Sequence, residues 1–153
     1  MISISDILLP AHVNLALTSK DQASGVEEVL SKLNGDARIK NWDGLHASVL
    51  ERNAPALSCN ECGVCIAHGR TNAVDSLVMA AGRSVAGLTS PQINDRVRLV
   101  FVAGIPSAFD SEYLRLVGAL ARICRDKNLL DKLLGVADPA RFVELLVSGE
   151  AKL

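Results

Sequence analysis

The run Val97-Arg-Leu-Val-Phe-Val-Ala103 constrains the fold more than any other segment. It is short, rich in β-branched and apolar residues, and is the clearest strand in the chain. Two further strand-like runs precede it: residues 63–67 (Gly-Val-Cys-Ile-Ala), a short buried strand, and residues 76–82. Residues 12–17 give an additional early strand. On both sides the apolar period changes to that of helices. Residues 18–35 predict a helix, capped by Ser19 with Gln22 completing a capping box, with Val26, Val29, Leu30 and Leu33 on one face and Asn34-Gly35 as its stop. Residues 43–53 predict a second, capped by Asp43, with Leu45, Val49 and Leu50 inward and Pro55 ending it. In the C-terminal third, residues 110–126 place Leu116, Val117, Leu120, Ile123 and Cys124 on one stripe, with Arg115, Arg122 and Arg125 on the other side. Residues 128–134 form a short helix closed by Gly135. Asp138-Pro139 opens the last one, Asp as N-cap and Pro at the first helical position, followed by Phe142, Leu145 and Leu146. Helices at both ends and strands in the middle make an α/β protein, one sheet with helices packed against it.

The length, 153 residues, suits a single domain over 1–153. Lys and Arg number 16 against 17 Asp and Glu, a balance that argues against a dedicated nucleic-acid binder. One Trp, one Tyr and three Phe are too few for a base-stacking platform. The start, Met1-Ile-Ser-Ile-Ser-Asp6, lacks the basic region and apolar core of a signal peptide. No apolar stretch is long enough to span a membrane. A cytoplasmic protein without membrane insertion is expected.

Three of the four cysteines are crowded together in Cys59-Asn-Glu-Cys62-Gly-Val-Cys65-Ile-Ala-His68; the fourth is Cys124. Thiolates and imidazole are common zinc ligands, and C-x-x-C-G can form a metal knuckle. If residues 63–67 are a strand, however, Cys65 and His68 stand an odd number of positions apart and point to opposite faces. The competing reading is of small buried hydrophobes, so no metal is expected, and a metal or redox module stays as an alternative.

His12 and His46 have no companion chemistry nearby and read as surface or structural residues. His68 follows the short strand and precedes Gly69-Arg70. That position, at the exit of a strand before a glycine turn, is where α/β folds gather ligands. Imidazole is a competent nucleophile at neutral pH. Glycine lets backbone N–H groups approach an anion, and Arg70 adds a fixed charge. Together these are what reversible phosphoryl acceptance needs, since that chemistry is mostly positioning and charge stabilisation.

The string Gly63-Val-Cys-Ile-Ala-His68-Gly-Arg70 resembles the Gly-[Ile/Val]-Ala-Ile-Pro-His-Gly/Ala-Arg motif of the fructose/mannitol-type enzyme IIA domain of the bacterial phosphoenolpyruvate-dependent phosphotransferase system. Ile4-Ser-Asp-Ile-Leu-Leu-Pro10 with Val13 resembles that family's opening Leu-Leu-x-Pro-x-x-Val. Thr18-Ser-Lys20, Val49-Leu-Glu-Arg52, Val97 through Pro106 and the helix Tyr113 through Arg122 resemble further segments in the same order, so the likeness covers nearly the whole chain. It implies one mixed sheet flanked by helices on both faces. It implies that His68 accepts a phosphoryl group from the histidine carrier protein, without a cofactor. Arg52 matches the arginine that steadies the phosphate, and Ser58 stands where a threonine orients the imidazole. Gly69, Arg70 and Tyr113 would border the phosphate.

The chain departs from the family in places. Leu57-Ser-Cys-Asn-Glu61 replaces a glycine-containing stretch, and an acidic Glu61 would repel a phosphohistidine if it faced the site. Ala67 replaces the proline before the histidine. Tyr113 replaces a second histidine; it can hydrogen-bond but cannot act as a cation. A free-standing domain of this kind fits a regulatory, nitrogen-type branch. The alternative on the same fold is a binding regulator that works without phosphorylation.

Overall fold

The computed structural model describes residues 3–51, 57–59, 63–90 and 96–152. Among these, β1 (Val13–Asn14), β2 (Leu57–Cys59), β3 (Val64–Arg70), β4 (Val78–Leu88) and β5 (Val97–Ile105) form one sheet in the order β1-β4-β5-β3-β2. β1 is parallel to β4 and β3 is parallel to β5, while the β4–β5 and β2–β3 pairs are antiparallel. The sheet is therefore mixed, and the segment that dominates the sequence, β5, occupies its centre.

Central strands must be apolar on both faces, because helices cover both. In β5, Leu99, Phe101, Ala103 and Ile105 enter one hydrophobic layer, while Val100 and Val102 enter the other. The first layer is built with α1 (Ile4–Ile7), α4 (Asp110–Arg125), α5 (Lys127–Gly135) and α6 (Pro139–Ala151); the second with α2 (Gln22–Leu30) and α3 (Trp42–Glu51). Each fully buried Val, Leu or Phe is worth about 1.5–3 kcal/mol relative to exposure, so the alternation along β5 fixes how both helical layers seat. The stripe expected on α4 is inward as read: Leu116, Leu120, Ile123 and Cys124 are buried, Val117 is half-buried, and Arg115, Arg122 and Arg125 are exposed. None of the described helices is long and apolar enough to cross a membrane.

Several boundaries differ from the sequence reading. The helix expected over 18–35 is α2, which starts at Gln22; its cap is Asp21, whose carboxylate accepts from the Ser24 N–H at 2.8 Å. Ser19 does not cap it, because its hydroxyl donates instead to Glu28 at 2.7 Å. Residues 31–33 tighten into a 3-10 turn. In α3 the Asn41 side chain takes the capping role, accepting from the Gly44 N–H at 3.1 Å, and Asp43 lies inside the first turn. Pro55 and the end expected at residue 53 lie outside the described residues. The early strand shrinks to two residues behind a 3-10 turn at Pro10–His12. β4 runs on to Leu88, past a register shift that contains Gly87 with φ 86°. α6 begins as expected, with Asp138 accepting from the Ala140 N–H at 3.1 Å and Pro139 at its first position.

Candidate functional site

β3 carries the candidate site, and its alternation decides what each side chain meets. Val64 and Ile66 enter the α4 layer, whereas Cys65 and Ala67 enter the α2/α3 layer. His68 continues the first set. It pairs in register with Ala103 of β5, and its imidazole faces Tyr113 of α4. The Tyr113 hydroxyl lies 2.8 Å from Nδ1 of His68, and the two rings sit 4.7 Å apart with a 40° tilt. His68 is half-buried, and Tyr113 is 5% exposed on the inward stripe of α4 with Leu116 and Leu120. These two side chains are thus held by elements on either side of one packed layer.

His68 is not at a strand exit, as the sequence reading had it. β3 continues through Gly69 to Arg70, and Gly69 is not among the positive-φ glycines. The glycine turn is therefore absent at this point, and Gly69 serves a different need. A Cβ there would come 2.5 Å from the Ser48 hydroxyl oxygen and 2.9 Å from the Val49 nitrogen, so only glycine lets α3 pack this close. The Ser48 hydroxyl also donates to the Arg70 carbonyl at 3.2 Å, tying α3 to the end of β3. Arg70 is exposed, two positions beyond His68 on the same side of the strand. Its backbone stands about 7 Å further along, given the rise of a strand.

Ser58 lies in β2 with its backbone opposite Cys65, three ladder positions from the level of His68. Arg52 and Glu61 lie outside the described residues. Strand β2 itself and the role of Ser48 were missed by sequence reasoning. Three residues carry too little periodicity to announce a strand, and Ser48 acts through packing on Gly69 and a bond to the Arg70 carbonyl, contacts that no local period announces.

Of the cysteines, Cys62 lies outside the described residues, and Cys65 and Cys124 do not converge. Cys65 is buried in the α2/α3 layer and Cys124 in the α4 layer, on opposite sides of the sheet. Burial pushes each thiol up to about 12, which disfavours the thiolate that a metal needs. Cys65 also points away from His68, as the odd spacing requires. Among the described residues no three His, Cys, Asp or Glu side chains stand close enough to hold a metal. The other two histidines sit elsewhere: His12 is 3.5 Å from Asp36, and His46 is 3.2 Å from Glu27.

Comparison with known proteins bears on the fold and the family. The family described as "Phosphoenolpyruvate-dependent sugar phosphotransferase system, EIIA 2" matches residues 6–149. A fructose-specific EIIA component of Haloferax volcanii is 30% identical over 112 residues, covering 72% of this chain and 73% of that protein. The crystal structure of the nitrogen regulatory protein IIA-Ntr from Neisseria meningitidis superposes with a TM-score of 0.80 at 22% identity, covering 94% of this chain and 98% of that one. The mannitol enzyme IIA of Escherichia coli, in its complex with phosphorylated enzyme IIB, superposes with a TM-score of 0.74 at 14% identity, covering 90% and 95%. At those identities the two structures speak for the fold alone. The match across residues 6–149 carries the rest, and by it the chain belongs to the EIIA 2 family of the phosphoenolpyruvate-dependent sugar phosphotransferase system.

Proposed function

We propose that this chain is a phosphocarrier whose His68 takes a phosphoryl group from a histidine carrier protein and hands it on. The observation that carries the reading is the placement of His68. It is the half-buried imidazole in the paired part of β3, backed by α4, and it stands where the family motif has its phosphoacceptor. Phosphoryl transfer asks the protein mainly to hold the nucleophile and offset charge. The sheet does the first. Arg70, and Arg52 by its match to the family's arginine, would do the second. Ser58 is the weaker candidate for orienting the ring, since its backbone is three ladder positions away. The reaction needs no cofactor, and the reading carries a cytoplasmic location with it.

For the branch of the system, we favour a regulatory, nitrogen-type role, supported by the fold likeness to IIA-Ntr over 94% of the chain. The fructose-specific relative favours a second reading, in which the chain feeds a sugar-transporting enzyme IIB. The test is phosphorylation with enzyme I, carrier protein and labelled phosphoenolpyruvate. Acid-labile label is expected on the wild type and none on His68→Ala. A wild type without label overturns the phosphocarrier reading. Adding a fructose-type enzyme IIB separates the branches: rapid loss of label to it supports the sugar branch, and retention supports the regulatory one.

A further inference from the structure

We propose that Tyr113 is a positioning residue for His68: its hydroxyl holds the imidazole with the proton on Nδ1, so that the phosphoryl group is taken at Nε2. The inference rests on the reading of His68 as phosphoacceptor.

The Tyr113 oxygen and Nδ1 of His68 are 2.8 Å apart, a full hydrogen bond. A neutral imidazole has one N–H and one lone pair, whereas a phenol can donate or accept. Two arrangements satisfy the distance. If the phenol donates, the Nδ1 lone pair is engaged and the ring proton sits on Nε2, so neither nitrogen offers a lone pair to phosphorus. If the phenol accepts, the proton sits on Nδ1 and the Nε2 lone pair is the nucleophile. Only the second arrangement reacts.

The geometry holds the pair together. Tyr113 is buried beside Leu116 and Leu120, so its ring cannot swing away without emptying part of the core. The His68 backbone is fixed by the β3–β5 ladder. A hydroxyl suits both stages of the transfer. As the Nε2 lone pair forms the N–P bond, the P–N bond of the donor phosphohistidine breaks and its electron pair leaves with the donor ring. The acceptor ring keeps its Nδ1 proton and becomes cationic, still donating to Tyr113. Loss of that proton to water leaves a neutral phosphoimidazole whose Nδ1 lone pair accepts from the same hydroxyl. The reverse transfer begins by restoring the proton. On this account the exchange of the family's second histidine for Tyr113 keeps a partner on the ring and removes only a cation.

The test is nitrogen-15 NMR of histidine-labelled full chain, wild type against Tyr113→Phe, with His68→Ala to assign the signals. In the unphosphorylated wild type, Nδ1 of His68 is expected to carry a slowly exchanging proton and Nε2 to be of the unprotonated type. In Tyr113→Phe the proton is expected to exchange fast and the Nε2–H tautomer to rise. After phosphorylation the wild type should be coupled to phosphorus at Nε2, and the variant should accept label about tenfold more slowly, the loss of one hydrogen bond, with unchanged circular dichroism. A wild-type proton on Nε2, an unchanged tautomer ratio in Tyr113→Phe, or phosphorus on Nδ1 overturns the proposal. Label on neither protein overturns the phosphocarrier reading and the Nε2 step with it; the tautomer spectra, which need no phosphoryl donor, identify that failure as one of the reading and not of the Tyr113 bond.

Discussion

Gly69 of β3 and Ser48 of α3 approach so closely that a single methyl group would not fit between them: a Cβ on Gly69 would sit 2.5 Å from the Ser48 hydroxyl oxygen. The same Cβ would meet the Val49 nitrogen at 2.9 Å, and backbone cannot step aside as a side-chain end can. Gly69→Ala is therefore expected to lower stability by about 1–3 kcal/mol, the usual cost of overpacking. Because His68 precedes it, phosphorylation should fall as well. Adding Ser48→Ala should recover only part of the loss, since the Val49 contact stays. Urea unfolding of the single and double variants measures this; a Gly69→Ala midpoint equal to wild type would show that α3 shifts freely.

That contact also marks where sequence reasoning stops. The odd spacing of Cys65 and His68 predicted opposite faces, and they lie on opposite faces, because a strand's period of two is local and rigid. The stripe of α4 and the Asp138-Pro139 start were legible for the same reason. Gly69 was read as a turn, since a glycine's call for space looks the same in sequence as its call for a left-handed backbone. Ser19 was read as a cap, but Glu28, nine residues on, takes its hydroxyl. The four-residue α1, held by the reciprocal bonds of Ser3 and Asp6, went unnoticed. The bond from Tyr113 to His68 joins residues 45 apart in the chain. No local period predicts it; the resemblance put Tyr113 near the site, and only the docking of α4 on the sheet brings it to the ring nitrogen.

Arg83 stands in β4 with 9% of its surface exposed, and its guanidinium donates to the Leu15 carbonyl at 3.3 Å, to the Leu133 carbonyl at 3.3 Å and to that of Val136. It thereby satisfies the C-terminal end of α5, whose last carbonyls lack intrahelical partners. Burial lowers its pKa. Arg83→Met is expected to cost about 2–3 kcal/mol by stranding these acceptors. Arg83→Lys should recover less than half, because a single ammonium cannot span the fork's targets. Thermal unfolding checks the order; a methionine variant as stable as wild type would mean that water replaces the guanidinium.

Asp36 supplies a pH dependence. Its carboxylate accepts from the Arg38 guanidinium at 3.0 and 2.7 Å and from the Arg38 N–H at 2.8 Å. Those bonds outweigh burial and bring its pKa from 3.8 to about 2. With the folded value below the unfolded one, the contribution is fully present above about pH 4 and is lost as pH falls towards 2. Its size is about 2 kcal/mol for this shift, on a side chain that is 8% exposed. Asp36→Asn should thus lie about 2 kcal/mol below wild type at pH 7, and the gap should close on acidification. Denaturation curves at pH 7, 4 and 2.5 follow it. A gap that stays constant with pH would assign the loss to packing.

The buried thiols offer a way to watch the sheet that holds His68. Cys65 is fully buried two residues before Ala67, on the side of β3 away from the imidazole, and burial brings its pKa to about 12. Cys124, in the other layer, is brought to about the same value by the same cause. Alkylation needs the thiolate and access to it, so at pH 8 the native protein should leave both residues unmodified, while urea-unfolded chain takes reagent at both. Peptide mapping by mass spectrometry reads each site separately from Cys59 and Cys62. His68→Ala removes a side chain from the opposite face and should leave Cys65 protected. Gly69→Ala forces α3 off β3 and should speed Cys65 labelling more than Cys124 labelling, because only Cys65 sits under that helix layer. Equal acceleration at both sites would point to global unfolding and would separate the stability cost of the methyl group from any local opening at the site.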